Sequence, residues 1–154
     1  MRRTSVVIIG MAAMLAISGL SASALAAQPG AKSRPLKLLF WGAHISTGDY
    51  VFKAVSSLDG TGAAIAQFRI SSTAGSVTGR SVTTIYFRNG VSKQRGSFKQ
   101  AGPSANGIIK VTGSGRCAGG TGVHTRERCS YAITGSYNAK TNQNNLKVSG
   151  RDTR

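Results

Sequence analysis

The sequence predicts an all-β domain, a single eight-stranded antiparallel barrel, and three observations carry that expectation. Beyond residue 36 no segment shows a helical period, whereas short alternating runs rich in Val, Ile, Thr, Tyr and Phe recur between glycine and asparagine punctuation. A short refrain ends in glycine at Val77-Thr78-Gly79, Val111-Thr112-Gly113, Ile133-Thr134-Gly135 and Val148-Ser149-Gly150; its intervals of 34, 22 and 15 residues exclude a fixed-period repeat. Glycine spaced in this way suits strands that bend sharply at the corners of a small closed barrel. Finally, Gly119, Gly120, Thr121 and Gly122 lie between Cys117 and Cys129 and are flanked by alternating segments, which reads as a barrel hairpin whose turn needs positive φ.

In chain order the first element is an export signal. Arg2 and Arg3 form a positive start, Val6 to Leu20 is an apolar run, and Ala24-Leu25-Ala26 supplies small residues for cleavage after Ala26. The run is shorter than the roughly 20 residues a membrane-spanning helix needs, and no second one follows, so no transmembrane anchor is expected. The destination is extracytoplasmic, secreted or periplasmic. Residues 27–35 lack any period and read as a mobile basic lead-in, and 36–154 form the domain. Arg2 and Arg3 are the only charged residues of the leader, so its removal takes the net charge from +16 to +14.

Eight strands are predicted: 36–42, 49–57, 63–71, 81–88, 92–100, 107–116, 129–138 and 145–151. In the seventh, Tyr131, Ile133 and Tyr137 fall on one face and Ala132, Thr134 and Ser136 on the other, because successive side chains alternate. In the sixth, Ile109 and Val111 share a face opposite Ile108, Lys110 and Thr112. One side of each is dry. Closing the last strand onto the first removes the exposed edges that many short strands would leave.

Two cysteines in an exported chain point to one bridge, Cys117 to Cys129, closing a hairpin-sized loop and removing about 3 kcal/mol of unfolded-state freedom; free thiols are the alternative. With no CxxC spacing and one histidine, His124, beside Glu127 in the loop, no metal and no cofactor are expected, and His124 reads as an exposed turn residue. Asp59, before Gly60, reads as a turn residue. The Gly-Gly-Thr-Gly segment lacks the lysine and helix of a phosphate-binding loop. His44 and His124 lack serine and acid partners for a hydrolase triad, and only four acids are available to a glycosidase.

Residues Asn106 to Arg116, the Gly-Gly-Thr-Gly turn and Tyr131 to Asn138 together resemble the allene oxide cyclase and dirigent barrel superfamily, loosely from Leu36 to the C-terminus. The resemblance implies an eight-stranded barrel with an apolar lumen open at one end. It also implies guidance of a reactive intermediate by a few acidic, basic or tyrosine side chains. Asp49, Tyr50, Tyr86 and Tyr131 are the ligand-binding candidates of that kind, while no position matches a family catalytic motif. The turn departs from the family in carrying Arg126-Glu127-Arg128.

Two functions follow. In one, the lumen binds a small apolar ligand and guides its cyclisation or coupling. In the other, the outer face binds an anionic envelope polymer or lipid, because Lys93, Arg95, Lys99, Lys110, Arg116, Arg126 and Arg128 spread over neighbouring strands. Outside the cell a specific nucleic acid is not an expected partner. Related barrels form trimers, which makes a homo-oligomer an open expectation.

Overall fold

A computed structural model describes residues 32–73, 76–102 and 104–154. The leader and residues 27–31 lie outside them. The strands are β1 (Ser33–Ser46), β2 (Asp49–Ser56), β3 (Gly60–Thr73), β4 (Ser76–Phe87), β5 (Gly90–Gln100), β6 (Ile108–Gly120), β7 (Arg128–Asn138) and β8 (Gln143–Thr153), with one 3-10 turn over Gly122–His124. Each pairs antiparallel with the next, and β8 pairs with β1 from Ser33↔Thr153 to Ala43↔Gln143, so the barrel closes. Among the described residues, no helix is long and apolar enough to cross a membrane.

All eight predicted strands are present, most of them longer than predicted: β4 begins at Ser76 rather than at residue 81, and β1 and β6 run on to Ser46 and Gly120. Strand β1 starts at Ser33, inside the segment read as a mobile lead-in, because Ser33, Arg34 and Pro35 pair with Thr153, Asp152 and Arg151. Arg151 Nε donates to Ser33 Oγ at 2.9 Å. Pro35 is tolerated here because the β2 register begins only at Leu38, so its missing N–H costs no ladder bond on that side.

The inward residues of every strand meet in one cluster. Phe40, Phe52, Phe87 and Phe98 are interleaved with Ala54, Ala64 and Ala66, and Leu38 and Ile85 are completely enclosed. Alternating large and small side chains fills the interior of a narrow barrel. The glycine refrain marks its corners. A Cβ on Gly79, Gly113, Gly135 or Gly150 would lie 2.7, 2.3, 2.2 or 2.0 Å from a carbonyl oxygen of the adjacent strand, so each strand bends where its neighbour comes closest.

Cys117 and Cys129 are disulfide-bonded, with Cα atoms 4.8 Å apart. They continue the β6–β7 ladder one pair beyond Arg116↔Ser130, and so clamp the base of the loop carrying the 3-10 turn.

Candidate functional site

The barrel has a filled middle, a charged plug at one end and an uncompensated basic wall outside. In the middle, a cavity of about 40 Å³ is lined by Phe40, Phe52, Phe68, Phe98, Tyr131 and Gln94 among others. The aromatic rings pack edge to face, Phe40 on Phe52 at 5.7 Å, Tyr50 on Phe68 at 4.7 Å and Phe68 on Phe98 at 5.2 Å between centroids. Burial, with a smaller contribution from the Glu127 charge, pushes the Tyr131 phenol well above its usual range. Tyr50 is raised too, by burial and then by Tyr137.

The pleat divides the four candidate ligand residues. Tyr131 lines the cavity and Tyr50 stands half-buried on the same inner side, stacked on Phe52. Asp49 and Tyr86 are on the outer wall: Asp49 is the alternate neighbour of inward Tyr50, and Tyr86, 48% exposed, lies between inward Ile85 and Phe87. Asp49 accepts a hydrogen bond from Ser46 Oγ at 2.8 Å.

The plug corrects one expectation and adds to another. His124 is not exposed but fully buried. The Gly-Gly-Thr-Gly turn has the predicted positive φ at Gly119 and Gly122, and it folds the loop against the β4–β5 hairpin. Thr121 N donates to Val91 O at 2.8 Å and Val123 N to Asn89 O at 3.2 Å. A Cβ on Gly90 would come 2.3 Å from Thr121 O, and one on Gly122 would come 2.3 Å from Asn89 O, so glycine on both sides lets the two backbones touch. That contact turns the His124 ring inward, where it stacks on Phe87 at 5.6 Å.

Asp59 does occupy a turn, yet its side chain is only 3% exposed. Arg154 Nη1 and Nη2 donate to its two oxygens at 2.8 Å each, and Arg154 Nε donates to Asp152 at 2.6 Å. Glu127 lies 3.1 Å from His124 Nδ1 and 3.5 Å from Arg154 Nη2, and accepts from Ser92 Oγ at 2.5 Å. Three carboxylates converge here, and the cationic charge that holds them together is the guanidinium of Arg154. Asp152 was legible in principle, since Asn144, Leu146, Val148 and Gly150 set the inward alternation of β8 that it continues.

Burial alone would raise the Asp59 pKa, but the Arg154 and Asn89 hydrogen bonds and the nearby positive charge hold it at about 2. A carboxylate depressed on folding contributes stability above its unfolded pKa, near 3.8, and loses it as pH falls toward the folded value. The stability gap between the wild type and Asp59→Asn should therefore shrink by about 2 kcal/mol from pH 5 to pH 2. Urea unfolding at the two pH values checks this; a constant gap contradicts it.

With Asp59, Glu127 and Asp152 in the plug, the outer wall of β5 to β8 exposes no carboxylate, and Glu127, though among the residues beside the arginine groove, is buried. Lys93, Arg95, Lys99, Lys110, Arg116, Arg126 and Arg128 are all exposed. Among the described residues, the Lys and Arg side chains in ion pairs are Arg34 and Arg154 alone. Arg95 lies opposite Arg116 in the β5–β6 register. With Arg126 and Arg128 these two line a groove of about 920 Å³ beside the disulfide. A second groove of about 590 Å³ is lined by Arg69, Arg80 and Lys99 with Ser97, Thr112 and Ser114. Guanidinium groups beside hydroxyls suit phosphate or sulfate oxygens, which take bidentate donors. Comparison with known protein families, characterised proteins and solved structures finds no match to this chain, and the barrel is tied to no named superfamily.

Proposed function

We propose that the protein is an extracytoplasmic binding module for anionic polymers, with the arginine groove beside the disulfide as its principal contact. One observation carries this reading: Arg95, Arg116, Arg126 and Arg128 converge on one groove while three of the four carboxylates are buried at the barrel end. Polyanion binding releases counterions, so affinity falls steeply with salt. Titrating the purified protein with polyphosphate or dextran sulfate should show binding about 100-fold weaker at roughly 200 mM than at roughly 50 mM salt for four contacts. Changing the four arginines together to Gln should remove most of that slope; salt-independent binding, or a slope the variant keeps, contradicts the reading.

A second reading, a small apolar ligand in the lumen whose cyclisation or coupling the barrel guides, is supported by the aromatic lining of the cavity. Its about 40 Å³ accommodates only a few waters, so a ligand has to displace lining side chains such as Phe68 and Phe98. A neutral naphthalene probe would then bind with little salt dependence, the opposite behaviour to the polyanion.

A further inference from the structure

The outer wall is two-sided. Opposite the basic strands, the outward residues of β1 to β4 include a group of exposed apolar side chains, among them Trp41 at 40%, Val51 at 39% and Ile65 at 47%, bordered by the exposed cations Lys37, Arg69 and Arg80. Contiguous apolar surface of this kind on a water-facing barrel marks a contact with something else. The register lays it out in rows. Ala43, Val51, Ile65 and Thr84 form the middle row, with Trp41, Lys53, Ala63 and Tyr86 on one side and Asp49, Gln67 and Val82 on the other.

Asp49 is the one carboxylate outside the plug, and Lys53 is the one cation within the apolar rows. They stand on the same strand, each two residues from Val51, about 7 Å away along the chain. Such a strand is self-complementary under a two-fold rotation. If the axis lies in the contact plane, perpendicular to β2 over Val51, each Lys53 meets the second copy's Asp49. The same operation sets Tyr86 over Val82, Trp41 over Ile45, and Val51 and Ile65 over themselves.

We propose that this face is the interface of a two-fold homodimer, with a second copy of the chain as its occupant and two reciprocal Asp49–Lys53 pairs fixing the alignment. The basic wall then faces solvent on both sides of the dimer, so this inference stands independently of anion binding.

Sedimentation equilibrium of the exported, purified protein at roughly 150 mM salt tests it, where exposed charges beyond about 8 Å are screened. A dimer is expected at micromolar concentration. Lys53→Asp and Asp49→Lys each place two like-charge pairs in the interface and should raise the dissociation constant at least about tenfold. An equimolar mixture of the two variants should recover the wild-type affinity to within about threefold, since each supplies the charge the other lost. Trp41 is the sole tryptophan, and its emission should shift to the red on dilution through the same midpoint. The proposal fails if the protein is monomeric throughout that range, or if single reversals leave the dimer unchanged. It also fails if mixing restores nothing, or if a monomeric protein instead inserts Trp41 into phosphatidylglycerol vesicles.

Discussion

Replacing Arg154 with Met should destabilise the barrel by about 3 to 5 kcal/mol, although it is the last residue of the chain. Terminal residues usually fray at little cost, but this one is 12% exposed and contacts three buried carboxylates, Asp59, Asp152 and Glu127. Methionine fills much of the same volume and removes the charge, so the cost comes from leaving Asp59 and Glu127 buried without a guanidinium and Asp152 with only its 3.5 Å contact to Arg34. Lysine should recover less than half of it, because a single ammonium cannot reproduce the paired donation to both Asp59 oxygens. Arg34 provides the control: it is 45% exposed and touches Asp152 only at 3.5 Å, so Arg34→Met should cost no more than about 1 kcal/mol. Thermal unfolding should separate the two variants by about 10 °C. Equal effects would mean that the plug is held by packing rather than by charge.

The strands were legible because their signal is local. Alternation within a few residues assigns Tyr131, Ile133 and Val111 to the inside before any pairing is known, and the structure puts them there. The same rule also decides between Asp49 and Tyr50, since adjacent residues on a pleated strand cannot share a face; counting both as ligand residues ignored it. The plug was not legible, because it exists only after closure. Asp59 and Arg154 are 95 residues apart, and His124 and Glu127 belong to a loop whose inward turn depends on the β4–β5 hairpin touching it. An acid-poor chain offers a hint all the same: carboxylates so few in number, placed at turns and on an inward alternation, are available for structural use. The start of β1 was hidden for another reason. Lysine, serine and proline around residue 33 look like a linker until β8 supplies the partner that makes them a strand.

Gly42→Ala should be the most damaging single-methyl addition among the strand glycines on the β1 side, costing at least about 3 kcal/mol by overpacking. Gly42 has no positive φ, so its requirement is space. A Cβ there would sit 1.9 Å from the Val51 carbonyl oxygen and 2.8 Å from the Phe52 Cα, both on the paired backbone of β2. Relief demands that β2 retreat, which pulls Phe52 from its contact with Phe40 and loosens the aromatic lining of the lumen. Gly60→Ala is the matched comparison, with φ at +75° and nothing within 4 Å of the added carbon, so it carries conformational strain alone, about 1 kcal/mol. Urea midpoints at unchanged slope should rank the two in that order. Trimming the ring with Phe52→Leu should rescue Gly42→Ala hardly at all, because the nearest clash is with the carbonyl and not with the side chain. Substantial rescue by Phe52→Leu would place the constraint in the aromatic core instead of in the approach of two strands.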